Sequence, residues 1–136
     1  MKLLSMNTCH VPADLASVTT IDHLQETAPE LAGFQPGQAE RIWQSVEGLY
    51  KTGFSPAITF CLRRQGKIVF NRAIGHAHGN GPEDSASTPK QLATPDTPIC
   101  LFSASKVVTA MLVHKLDEDG LIDLLDPVSH YIPEYG

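Results

Sequence analysis

The amino-acid sequence predicts an α+β fold in which a β-hairpin lies between two helices, and three observations carry that expectation. Apolar residues recur at helical spacing between Pro36 and Gly53. Two β-branched and aromatic runs then flank a glycine-containing turn, Arg63-Arg64-Gln65-Gly66. A second helical segment, rich in apolar residues, begins at Ser103. A length of 136 residues suits one domain and hardly a second.

Residues 1–28 show no sustained periodicity and hold scattered Thr, Ser and Asp, so they read as an N-terminal tail ahead of a domain over residues 29–136. In the first helix Ala39, Ile42, Trp43, Val46, Leu49 and Tyr50 recur at steps of three and four, one buried face, and Gly53 stops it. Ala57-Ile-Thr-Phe-Cys-Leu and Lys67-Ile-Val-Phe-Asn supply the two strands. His76 to Pro98 collects Gly, Pro and Ser and reads as a long loop. From Ser103 to Glu118, Val107, Val108, Ala110, Met111, Leu112, Val113 and Leu116 leave no broad wet face, which predicts a core helix ended by Gly120. Two strands alone make an unstable ribbon, so the sheet is expected to be incomplete and the chain to be the N-terminal portion of a larger fold.

Composition narrows the function. With 10 basic and 15 acidic residues, the formal charge of -5 offers no cationic surface for a nucleic-acid backbone or an acidic membrane. No apolar run approaches the roughly 18 to 20 residues of a membrane span. Met1-Lys2-Leu3-Leu4 turns polar at Ser5, too soon for a signal peptide. Cys9, Cys61 and Cys100 are odd in number and widely spaced, which suggests neither a disulfide framework nor a zinc site. A cytoplasmic location is the resulting expectation.

Chemistry concentrates in Ser103-Ala104-Ser105-Lys106, where a hydroxyl and an amine three residues apart fall on one side of a helix's first turn. A Ser hydroxyl needs an adjacent base to become nucleophilic, and Lys serves as that base when burial and the positive helix end make its proton easy to lose. The competing reading makes Ser103 a helix cap and Lys106 a solvated side chain. Against a pure cap stands the charge, because Lys in a first turn opposes the helix dipole by about 0.3 to 1 kcal/mol. Asp117, Glu118 and Asp119 oppose it equally at the other end. Ser87-Thr88-Pro89-Lys90 repeats the spacing among turn-forming residues, where no helix aligns the pair, and is set aside as a chance match.

The run Phe102-Ser103-Ala-Ser-Lys106-Val-Val-Thr-Ala110, followed by Asp119-Gly-Leu-Ile-Asp-Leu and Asp126-Pro-Val-Ser-His-Tyr-Ile-Pro-Glu134, resembles the N-terminal part of the serine β-lactamase-related hydrolases. More narrowly it is similar to the class C-like branch with family VIII esterases and D-aminopeptidases. Pro56-Ala-Ile-Thr-Phe and Gly66-Lys-Ile-Val-Phe-Asn-Arg-Ala-Ile-Gly75 resemble that family's first hairpin. The resemblance implies a β-lactamase/transpeptidase-like fold, an antiparallel sheet flanked by helices. It also implies catalysis by Ser103 as nucleophile and Lys106 as proton acceptor, with a covalent acyl-enzyme, the Ser103 N–H as an oxyanion donor and no metal or organic cofactor. The family's Tyr-x-Asn and its third motif have no counterpart among these 136 residues, so this portion is expected not to complete catalysis alone while the whole protein does.

Other residues have plainer readings. His76 and His78 could face one side of an extended segment but lack a third metal ligand. His114 reads as a core or boundary histidine, Cys100 as an inert buried thiol, Trp43 and Tyr50 as packing, and Arg63 and Arg64 as solvated charge beside a turn. The expected function is a serine hydrolase, esterase or peptidase-like, acting on a small-molecule ester or amide. The rival is a non-catalytic binding protein that retains the fold.

Overall fold

The computed structural model describes residues 8–136, so the part of the expected tail at residues 1–7 lies outside the described residues. The fold is α+β, a small antiparallel sheet with helices. The chain divides into two compact units, one running to Thr97 and one covering Pro98–Gly136.

The first unit is built on strands β1 (Thr19–Ile21), β2 (Ala57–Arg64), β3 (Lys67–His78) and β4 (Gln91–Leu92), with helix α1 (Gln38–Lys51). β3 is central: β1 and β2 pair with its two sides and β4 with its end, all antiparallel. β2 and β3 close through Gln65 (φ 51°) and Gly66 (φ 75°), the two-residue turn whose twist matches that of the flanking strands. Leu62 pairs with Phe70 and Arg63 with Ile68, which leaves Val69 as an extra residue in β3. This bulge lets the consecutive Val69 and Phe70 both enter the core, which strict alternation forbids.

α1 supplies Ala39, Trp43 and Tyr50 to that core, where they meet Val18, Ala32, Phe70 and Ile74. The Trp43 ring lies 6.4 Å from Phe60 and 6.3 Å from Phe70, within the range of favourable aromatic pairs. Thr52 and Gly53 end the helix, with the Gly53 N–H donating to Tyr50 O. Tyr50 is fully buried and its hydroxyl has no partner among the described residues; burial, and secondarily Cys9, pushes the phenol above its ordinary range.

The segment expected as a tail is tied to the sheet over its second half. Leu15–Val18 forms a 3-10 turn capped by Asp14, Val18 is buried, and β1 follows directly. Glu26 then grips Arg72 with two hydrogen bonds, 2.8 and 2.7 Å, and accepts the Asn71 N–H at 2.9 Å. These side chains are only 12% and 18% exposed, and the Arg72 guanidinium stacks 4.0 Å from the Phe70 ring. Pairing on both sides of β3 thus replaces the bare two-stranded ribbon of the sequence reading. The long loop is also shorter than expected, because β3 runs on to His78 and β4 returns to pair with it.

The second unit holds a 3-10 turn (Phe102–Ala104), helix α2 (Ser105–Glu118), the short helix α3 (Val128–Tyr131) and a final 3-10 turn (Pro133–Tyr135). α2 ends in a Schellman motif: Gly120 at φ 68° donates to Asp117 O and Leu121 donates to Leu116 O, both at 2.9 Å. The expected core helix is corrected here. No residue of α2 is buried, and Val107, Val108, Met111 and Leu112 are each more than half exposed. The reason is scale, since a unit of one long helix and short turns has no second layer against which an apolar helix can be covered. Among the described residues no helix is long and apolar enough to cross a membrane.

Candidate active site

The start of α2 decides where its hydroxyl and amine go. Ala104, not Ser103, occupies the N-cap, and no side chain caps the helix. Ser103 sits one residue earlier in the 3-10 turn, and its Oγ accepts a hydrogen bond from Lys106 Nζ at 3.0 Å. The three-residue spacing brings the two groups together without help from any other element. The purely capping role weighed for Ser103 is therefore not what its side chain performs.

Two features of the turn bear on chemistry. Phe102 adopts φ 46°, a left-handed conformation that is rare for a bulky side chain and costs about 1 to 2 kcal/mol. The first N–H groups of a helical segment lack internal partners, and the Ser103 N–H has no acceptor among the described residues. A free N–H beside a hydroxyl is the arrangement that an oxyanion donor requires.

Burial differs from expectation. Ser103 and Lys106 are both exposed within this unit, not at the start of a buried helix. His114 and Cys100, expected at or inside the core, are exposed for the same reason. Downstream, Tyr131 is locked: its hydroxyl donates to Asp126 Oδ2 at 2.6 Å and accepts the Asp123 N–H at 2.7 Å. The Asp126 hydrogen bond holds this phenol above its usual range. Sequence reasoning missed this ring; the signal was the pair of aspartates spaced around the Asp126-Pro127 turn.

The second Ser-x-x-Lys is not assembled. Ser87 Oγ lies 2.8 Å from Ser85 Oγ, while Lys90 Nζ reaches Asn80 Oδ1 at 3.4 Å. His76 and His78 end β3 across an irregular step in register. His76 is half-buried, its Nδ1 has no partner among the described residues, and burial, with Lys90 and His10 nearby, pulls its imidazole below the ordinary value. Among the described residues no group of three His, Cys, Asp or Glu side chains is placed to hold a metal ion.

Comparison with known proteins bears on this arrangement. A Salmonella agona protein described as "Putative D-alanyl-D-alanine carboxypeptidase" is 29% identical over 113 residues, 82% of this chain and 26% of that protein. The bovine "Serine beta-lactamase-like protein LACTB, mitochondrial" is 31% identical over 81 residues, 60% of this chain and 13% of that protein. The chain therefore spans about a quarter of the first relative and less of the second. No solved structure gives a significant match. The Beta-lactamase family model matches residues 42–136, from the middle of α1 through β2, β3 and the Ser103–Lys106 turn. By that match the chain belongs to the beta-lactamase family.

Proposed function

We propose that the whole protein is a serine hydrolase that opens an ester or amide bond through an acyl-enzyme on Ser103, with Lys106 as general base. The observation that carries this reading is the 3.0 Å approach of Lys106 Nζ to Ser103 Oγ. With Nζ unprotonated the same contact reverses its polarity: Oγ–H donates, and the proton passes to Nζ as Oγ bonds the carbonyl carbon. The tetrahedral oxyanion meets the free Ser103 N–H. Collapse breaks the bond to the leaving alkoxide or amide, which takes the proton from Nζ. Water then attacks the acyl-Ser103 ester, its proton passing by the same amine, and releases the carboxylic acid and the free hydroxyl.

Family membership supports the hydrolase class, and the relative described as a carboxypeptidase supports amides alongside esters as substrates. The exposure of Ser103 and Lys106 favours a second reading, a binding protein of the same family without catalysis. Hydrolysis of p-nitrophenyl butyrate by the whole protein separates the two. The hydrolase reading expects Ser103→Ala to lose at least about 10³-fold and Lys106→Ala about 10²-fold in kcat/KM, with Ser87→Ala and Lys90→Ala unchanged. Turnover unaffected by Ser103→Ala refutes it, and absence of turnover with every ester and amide tried favours the binding protein.

A further inference from the structure

A second feature lies wholly in the first unit and is independent of Ser103 and Lys106. Beyond β3 the chain leaves the sheet at Gly79 and is back in its interior at Ala93, and both ends are fixed. Gly79 has φ 82°, and the Pro89 carbonyl packs where its Cβ would stand. Ala93 is fully buried; its N–H donates to Gly75 O at 3.0 Å and its carbonyl accepts from Thr20 Oγ1. Between these anchors residues 80–92 are held by little, since β4 is two residues long and its pairing with β3 is irregular between His76 and His78. Besides β4, the tie from these residues to the rest of the unit is Asn80, only 4% exposed. Its Nδ2 donates to His10 O at 2.9 Å, while its Oδ1 accepts from Lys90 Nζ at 3.4 Å. One amide thus joins the segment ahead of β1, the loop after β3 and the residue before β4.

A cavity of about 330 Å³ adjoins this tie, lined by Thr8 and His10 from the N-terminal segment and by Asn80, Asp84, Ser85 and Lys90 from the loop. His76 stands where β4 meets β3, paired with Leu92. Its Nδ1 is shut off from solvent and has no partner among the described residues, so a proton there creates a buried donor without an acceptor. Burial first, then Lys90 and His10, disfavour the imidazolium. No acidic group offsets them: the Asp84 carboxylate accepts the Gly81 N–H at 2.7 Å, and His78, next along β3, is exposed. At this end of the sheet β2 presents Pro56 and Ala57, and α1 presents Tyr50, whose buried phenol is neutral here.

We propose that residues 80–92 form an acid-opened flap: a charge gained by His76 drives Lys90 and β4 away, breaks the Asn80 tie and opens the cavity. The closed form favours the neutral imidazole, so its stability is complete above the ordinary 6.5 and is lost as pH falls through the window toward the lower folded value. The opening is local. Val69, Phe70 and Ile74 lie in the core, and β1 and β2, not β4, pair with that part of β3. Gly79 and Ala93 mark the two ends about which the flap moves.

The test is hydrogen exchange of the full chain, read by mass spectrometry at about pH 7.5 and about pH 5.5 and normalised at each pH to the denatured chain. Residues 80–92 are expected to lose protection at the lower pH while residues 69–74 keep theirs. His76→Gln, which gains no charge, should hold the flap closed at both. His10→Gln removes a neighbouring charge but keeps the backbone carbonyl that Asn80 binds, so the loss should move to lower pH. His10 is exposed, so this variant reads the flap even where His76→Gln does not fold. His78→Gln should change nothing. The proposal is overturned by unchanged protection of residues 80–92, by an equal loss at residues 69–74, or by a loss in His10→Gln at the parent's pH. An equal shift in His78→Gln overturns it too.

Discussion

Gly75 offers the sharpest test of the first unit's architecture. It lies within β3 opposite Ala57, at φ 101°, a conformation that L side chains rarely adopt. A Cβ there would fall 2.2 Å from Pro56 O and 2.8 Å from Tyr50 Cε2, so neither backbone nor ring leaves room. Forcing a side chain into that φ costs about 1 to 3 kcal/mol, and overpacking the junction of α1 and β2 adds about 1 to 3 kcal/mol. A middle value near 4 kcal/mol corresponds to a fall of roughly 15 to 30 °C in Tm for a domain of this size. Gly48 is the matched control, since it is helical and a Cβ there meets nothing within 4 Å. Gly48→Ala should raise stability by about 0.5 to 1 kcal/mol. Urea denaturation followed by the fluorescence of Trp43, the sole tryptophan, reads the core of this unit directly. A Gly75→Ala protein within about 0.5 kcal/mol of the parent would refute the close approach of Pro56 and Tyr50 to β3.

Two further outcomes follow from the same structure. The His76 imidazole titrates lower when folded than its ordinary 6.5, because of burial first and then of Lys90 and His10. Between those values the unfolded chain binds more protons, so this stabilisation is complete above 6.5 and is lost as pH falls through the window toward the folded value. Urea midpoints measured from pH 7.5 down to pH 5 should therefore decline, and His76→Gln should flatten that slope; an unchanged slope counts against the burial. At the other unit, Phe102→Gly removes the cost of a positive φ while Phe102→Val raises it. Hydrogen exchange in the first turn of α2 should slow or hold in the glycine variant and quicken in the valine variant, and the reverse order would refute the left-handed turn.

What could be read from the sequence depended on whether the cause was local. The first helix, the hairpin and the Gly120 stop were legible because period, turn chemistry and glycine preference act within a few residues, and α1, β2 with β3, and the Schellman motif form where those signals lie. β1 was not, although Val18-Thr-Thr-Ile21 is β-branched throughout, because three residues form a strand only when a distant partner such as Ala73 is waiting. The continuation of β3 to His78 was hidden by its glycine and histidines, which carry little strand preference; its pairing comes from Gln91–Leu92, far along the chain. The α2 reading failed differently. Its composition predicts burial correctly only if another layer lies against it, and no property of a helix's own residues supplies that layer.

The same distinction divides the two requirements for chemistry at Ser103. Proximity is local: an i, i+3 pair at a helix start meets whatever the rest of the chain does, and Lys106 reaches Ser103 at 3.0 Å with no residue of α2 buried. Proton acceptance is not local, since an amine yields its proton readily only when surroundings that exclude water disfavour the ammonium. A Ser-x-x-Lys in a sequence therefore predicts a contact more securely than it predicts a nucleophile. This is why Ser87 and Lys90 fail even at the first requirement, with Pro89 between them and no helix to set the spacing. For Ser103 the contact is in place. On the hydrolase reading, replacing Lys106 by Arg, whose guanidinium stays protonated, should abolish acylation in the whole protein. Survival of acylation in Lys106→Arg would assign the proton to another base.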